Sequence, residues 1–123
     1  MRILNATRKT TVAGSAELAR SIFSKAIGLM FRSGMKEGCG LLMEFGREDY
    51  HAIWMFAMRF PIDIVFIDGR KKVTAVFKRA RPLGPSPRTW RLYRPPEPAK
   101  WVLELPAGGA AASGTRAGDT LSF

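Results

Sequence analysis

Asp63 is the carboxylate in this chain whose neighbours make it a candidate for chemistry. It follows Pro61 within Phe60-Pro61-Ile62-Asp63-Ile64-Val65-Phe66-Ile67, so an ionisable group is set inside an apolar strand. A carboxylate taken out of water needs hydrogen bonds or an opposite charge. Arg59 and Arg32 are the natural cations, because a guanidinium fork grips a carboxylate or a phosphate in bidentate fashion. At the mouth of a pocket, Asp63 would have a raised pKa and serve as a general base. The alternative is a strand junction fixed by Asp63 through backbone amides or an arginine. Glu104, alternating with Leu103 and Leu105, is either a second carboxylate for acid–base work or a solvated outward group. Two carboxylates without histidine support make a poor metal set, so no metal and no cofactor are expected.

The remaining reactive residues are sparse. His51 is the single histidine and Cys39 the single cysteine, so disulfides and multi-thiol metal sites are excluded. A nucleophile–histidine mechanism would have to run through His51, and nothing in the spacing brings Cys39 to it. Trp54 is a candidate for lining a pocket and stacking on a ligand, or else for the core. Met30, Met35, Met43, Met55 and Met58 offer adaptable contact surface or simple filling.

Charge narrows the partners. The formal charge is +10, and residues 70–100 hold ten Lys or Arg against one acid, Glu97. Such a lobe attracts phosphorylated ligands, nucleic acid or anionic surfaces through a salt-sensitive field. Trp90, Tyr93 and Trp101 interleaved with Arg88, Arg91, Arg94 and Lys100 could stack on bases while the cations meet phosphates. No phosphate-cradling glycine loop accompanies them. The other reading is a Pro- and Arg-rich loop clamped down by its aromatics.

These residues must be positioned by mostly β elements. Residues 3–12 read as extended, followed by a helix over 15–26 with Ser15 as cap, Leu18, Ile22, Phe23 and Ile27 as an apolar stripe, and Gly28 ending it. Residues 41–45, 51–60, 62–67, 73–77, 101–105 and 120–123 read as strands. In residues 51–60, Trp54, Phe56, Met58 and Phe60 share one face and Ile53, Met55 and Ala57 the other, the pattern of a strand buried on both sides. Asp68-Gly69 opens a hairpin loop extending through Lys71. Residues 82–98 hold six of the eight prolines and read as a long extended loop. Residues 110–114 read as one helical turn. The apolar fraction of 46% argues against disorder, and the length suits one domain over 1–123. Neither a leader nor an apolar run long enough to span a bilayer is visible, so a cytoplasmic protein with no membrane partner is expected.

Several blocks carry a resemblance. Gly28-Leu29-Met30-Phe31-Arg32, Trp54-Met55, Met58-Arg59-Phe60-Pro61-Ile62-Asp63-Ile64-Val65-Phe66-Ile67-Asp68, Val102-Leu103-Glu104-Leu105-Pro106-Ala107-Gly108 and Gly118-Asp119 occur in the order of domain-of-unknown-function family 192. Together they span most of the chain, and the chain resembles that bacterial and archaeal family. The resemblance implies an all-β, jelly-roll-like sandwich or barrel with one or two short helices, and no established reaction, substrate or cofactor. Departures are Ala57-Met58-Arg59-Phe60, where many members carry Lys-Asn-Thr, the Gly38-Cys39-Gly40-Leu41-Leu42 block, and Gly114-Thr115 in place of Gly-Ile.

The expectation is therefore a binding module, leaning away from an enzyme, for a small or anionic ligand, with Asp63, Trp54, Arg59, Arg32 and Glu104 as candidate contacts. The alternatives are an enzyme using Asp63 as acid or base, and a single-stranded nucleic-acid binder using residues 70–100, which is not favoured. No feature of the sequence specifies an oligomeric state.

Overall fold

Apolar alternation builds a five-stranded sheet. The computed structural model describes residues 1–20, 32–55 and 57–123. Strands β1 (Ile3–Asn5), β2 (Thr10–Ala13), β3 (Ser15–Ala19), β4 (Cys39–Asp49), β5 (Ile53–Trp54), β6 (Ile62–Ile67), β7 (Val73–Ala80), β8 (Leu92–Tyr93), β9 (Ala99–Pro106) and β10 (Leu121–Ser122) are joined by one short helix, α1 (Gly109–Ser113), and a 3-10 turn at Pro87–Thr89. The central sheet has the order β3-β4-β9-β6-β7. A three-stranded sheet, β10-β1-β2, and a two-stranded ribbon, β5-β8, complete an all-β architecture. The sheets are open, so the sandwich form of the expected fold is the one adopted.

All six residues of β6 are buried, as expected of a strand with both faces covered. On one face Ile62, Ile64 and Phe66 pack with Leu41, Met43, Val102 and, from the ribbon, Ile53 and Tyr93. On the other, Val65 and Ile67 pack with Leu103, Leu105, the small sheet's Ile3, Val12 and Leu121, and Ala110 of α1. The five-stranded sheet is thus the middle layer, with the ribbon on one side and the small sheet and α1 on the other.

The small sheet is tied to the chain's end by a buried polar cluster. The Asn5 amide donates to Thr115 Oγ1 at 3.1 Å and to Asp119 Oδ2 at 3.0 Å, while its Oδ1 accepts from the Arg8 backbone at 2.9 Å. Arg8 Nε also donates to Asp119 Oδ2 at 3.2 Å. Burial alone would raise the Asp119 pKa. Hydrogen bonds from Asn5, Arg8 and the Arg116 backbone, with the Arg8 charge, outweigh it and leave Asp119 below its ordinary value of 3.8.

Three expected elements differ. Ser15–Ala19 is not the start of a helix but strand β3, parallel to β4, pairing Ala16 with Gly40 and Leu18 with Leu42. Pairing with β4 overrides the helical spacing: Ala16 and Ala19 are buried, whereas Leu18, the supposed stripe residue, is 39% exposed. The rest of that helix, with Gly28, lies outside the described residues. The expected strand over 51–60 shrinks to Ile53–Trp54, because Ala57 adopts a left-handed backbone, φ 58°, that no strand accommodates. Trp54 is consequently 55% exposed instead of central, and Phe56 lies outside the described residues. Within residues 82–98 the chain forms the 3-10 turn and β8, whose Tyr93 pairs with Ile53.

Candidate functional site

Strand β6 pairs with β7 through an irregular register. Ile62 faces Ala80 and Ile64 faces Phe77, so Asp63 alone stands opposite two residues, Lys78 and Arg79. This is a β-bulge, and Arg79 within it takes a left-handed φ of 54°. The Asp63 carboxylate meets the disrupted ladder. Its Oδ1 accepts the Arg79 amide at 2.9 Å, and its Oδ2 accepts the amides of Gly108 at 3.2 Å and Ala110 at 3.0 Å, at the start of α1. Asp63 is fully buried. Its partners are three backbone amides; neither Arg59 nor Arg32 is among them.

The other sequence candidates do not converge on it. In an antiparallel pair, facing residues share a side of the sheet. Asp63 faces Leu105 and Glu104 faces Ile64, so the two carboxylates point to opposite faces. The carboxylate pair envisaged for acid–base work or a metal is therefore not formed, and no metal-holding group of His, Cys, Asp and Glu exists among the described residues. Glu104 is not an outward, solvated group. It is 6% exposed between Leu41 and Ile64, and makes no side-chain hydrogen bond among the described residues. Burial pushes the Glu104 pKa up to about 7, against a smaller opposing effect of the Arg32 charge. Arg32 itself forms an exposed ion pair with Glu17 at 3.1 Å. Arg59 is exposed and forms no ion pair among the described residues. Cys39 and the residues leading to His51 lie at opposite ends of the eleven-residue β4, and the His51 ring stacks on Phe45 at 3.8 Å.

The concave feature with concentrated charge is elsewhere. Between β7 and the segment through the 3-10 turn and β8 lies a cleft of about 460 Å³. Lys78, Arg79, Arg81, Arg88 and Arg91 line it with Val76, Phe77, Thr89 and Tyr93, and no acid does. None of these five cations has a carboxylate partner within ion-pair distance among the described residues. The Arg91 guanidinium lies over the Tyr93 ring at 4.3 Å and near Phe77 at 5.8 Å, a cation–π arrangement that holds it in place. Thr89 fixes the far wall: its hydroxyl accepts the Gly84 amide at 2.8 Å and donates to the Ser86 carbonyl at 2.8 Å. Trp90 follows, 60% exposed, its indole N–H donating to the Gly84 carbonyl at 2.9 Å. The charge run in residues 70–100 pointed to this region. The bulge at Lys78 and Arg79 had no counterpart in residue spacing. Trp101 is not part of the cleft; it packs edge-on against Phe123 on the other face of the sheet.

The model of DUF192, a family described as uncharacterised ACR, matches residues 3–123. The chain belongs to that family. A UPF0127 protein of Thermococcus gammatolerans is 30% identical over 98% of this chain and 74% of its own length. A UPF0127 protein of Pyrococcus furiosus is 29% identical over 98% of this chain and 97% of its own. Among solved structures, a protein of unknown function from Novosphingobium aromaticivorans superposes with a TM-score of 0.87 at 26% identity, covering all of this chain and 84% of that one. A protein from Sinorhizobium meliloti, described as a candidate transcription regulator, superposes with a TM-score of 0.83 at 29% identity, covering 98% and 89%. The family is one of unknown function, and its fold is the one seen here.

Proposed function

We propose that this DUF192 protein is a binding module for a small, multiply charged anion of phosphate type, held in the cleft between β7 and the 3-10 turn. The observation that carries this reading is five Lys and Arg residues lining about 460 Å³ with no carboxylate residue among the lining. Like charges gathered in a concave, partly apolar wall repel one another and focus a positive potential that an anion relieves. A single negative charge would leave most of that repulsion in place, so a polyphosphate or pyrophosphate group fits better than a monocarboxylate. Guanidinium forks match phosphate oxygens, and the volume lies within the roughly 300–1,000 Å³ of small-molecule sites. The enzyme alternative has less support, since both oxygens of Asp63 already serve amides. Titration calorimetry with inorganic triphosphate at low ionic strength tests the proposal. Saturable binding that weakens on Arg88→Ala and Arg91→Ala is expected, and absence of binding at low salt rejects it.

A second reading places single-stranded nucleic acid across the same lobe. It draws on Trp90, exposed beside Arg88 and Arg91, and on the description of the Sinorhizobium neighbour. The two readings separate by competition. An oligonucleotide that displaces triphosphate and quenches Trp90 fluorescence favours the second.

A further inference from the structure

Beside the cleft stands an aromatic ring that the cleft's charges do not explain. Trp90 is 60% exposed, yet it is not loose. Its indole N–H donates to the Gly84 carbonyl at 2.9 Å, and its backbone amide donates to the Pro87 carbonyl at 3.0 Å. The Thr89 hydroxyl, on a residue that lines the cleft, lies 3.3 Å from the same Gly84 oxygen and accepts the Gly84 amide at 2.8 Å. One carbonyl oxygen therefore brings the indole and the cleft wall together. Trp90 stands at the rim, and its sequence neighbourhood supplies Arg88 and Arg91 to the lining.

A single exposed apolar side chain is ordinary on a protein surface. A tryptophan already held in place differs in one respect: a planar partner can stack on it at little further cost in entropy. The hydrogen bond at the ring's edge fixes its orientation and takes neither π-face. Stacking surface beside guanidinium groups is the combination that holds a base while cations meet phosphates. The two halves are complementary in chemistry. The cleft, with cations and no carboxylate residue in its lining, favours phosphates, whereas the rim favours a flat, weakly polar ring. A nucleotide carries both, its base set off from the phosphates by a sugar. Inorganic polyphosphate would use the cleft alone.

We infer that the anion held in the cleft is a nucleoside polyphosphate, its base stacked on Trp90 and its phosphates met by Arg88 and Arg91. This rests on the cleft being an anion site and names the class of anion. Base–aromatic stacking tolerates every base, so selectivity comes from ring area, and purines are held more tightly than pyrimidines.

Titration calorimetry with adenosine triphosphate and with inorganic triphosphate, on the wild type and Trp90→Ala, separates the two halves. Trp90→Ala is expected to weaken adenosine triphosphate binding roughly tenfold, the order expected for one stacked base, and to leave inorganic triphosphate unchanged. Comparing each ligand with itself across the two proteins cancels the difference in charge between the ligands. Trp90→Phe should recover part of the loss. Equal weakening of both ligands would make Trp90 a support for the wall, and weakening of neither would make it a bystander; both results overturn the inference. Fluorescence reads the same contact without calorimetry. Adenosine triphosphate should quench an emission component that Trp90→Phe lacks while Trp54 and Trp101 remain, and inorganic triphosphate should not. A single-stranded oligonucleotide without terminal phosphates that binds more tightly than adenosine triphosphate would also overturn the inference, in favour of a polymer. Each of these failures leaves the anion site standing. Failure of the wild type to bind inorganic triphosphate would instead reject that site, so the two ideas fail separately.

Discussion

Glu104 shows how much the surroundings of one carboxyl group can matter. Its folded-state pKa of about 7 exceeds the ordinary 4.5 because burial disfavours the charged form. Between these values the folded protein binds a proton that the unfolded chain releases, so stability falls as pH rises from about 4.5 to 7 and is level above. Glu104→Gln keeps the shape and removes the titration. The variant should be more stable than wild type at pH 8, by a few kcal/mol at most, with the gap closing toward pH 5. Urea unfolding across that range checks it, and parallel profiles for the two proteins would contradict the assignment. Asp119 titrates with the opposite sign. Its folded pKa lies below 3.8, so its contribution is complete above that value and is lost as pH falls through the folded pKa. A stability maximum between these two acid-side effects is the expected result.

Element by element, the local rules succeed wherever one face decides the structure. Strand β6, the hairpin loop through Lys71 and the short helix before Gly114 were legible, since apolar runs, an Asp-Gly pair and a run of small residues act within a few residues. Asp63 was legible as a residue in need of a partner, but not the partner itself. That partner comes from residue 79 on a neighbouring strand and from residues 108 and 110 beyond the next one, across separations that periodicity does not report. Strand β3 was misread because Leu18 carries an apolar side chain to the surface while pairing with β4 fixes the backbone. The bulge in β7 was invisible for a related reason. It is specified by where Phe77 and Ala80 both find core contacts, and by the acid opposite. At this scale Arg79→Gly should stabilise the fold by about 1 kcal/mol, the relief of a left-handed side-chain residue. Thermal unfolding measures it, and a destabilised variant would show that the arginine side chain contributes to packing.

For the whole molecule, the central sheet is held from both sides by elements distant in sequence. The Asn5 cluster joins the first strand to Thr115 and Asp119, so the chain's opening and its last turn form one polar clasp. Asn5→Ala would leave buried groups of Thr115 and Asp119 short of a donor, and a loss of about 1–3 kcal/mol is expected from denaturant unfolding. A near-neutral result would mean that water replaces the amide. The net charge of +10, with ten cations between residues 70 and 100, acts over longer distances. Triphosphate affinity should fall steeply between low and physiological salt, since screening shortens the reach of exposed charges to about 8 Å. An affinity that does not respond to salt would point to a buried, neutral mode of recognition.

The bulge on β7 has one more consequence, for self-association. In the central sheet β7 is an outer strand, and beyond Val73 its outer side pairs with no strand among the described residues. A flat eight-residue edge carrying Val76 and Phe77 would be a template for strand addition between copies of the protein. The irregular pair Lys78–Arg79 interrupts that edge with a twist and two positive charges, which a second copy of the same edge would meet with its own. Deleting Lys78 would straighten the strand and remove half of that charge. The shortened protein should be prone to aggregate edge to edge, so the irregularity that gives the buried Asp63 a hydrogen-bond donor also keeps the molecules apart.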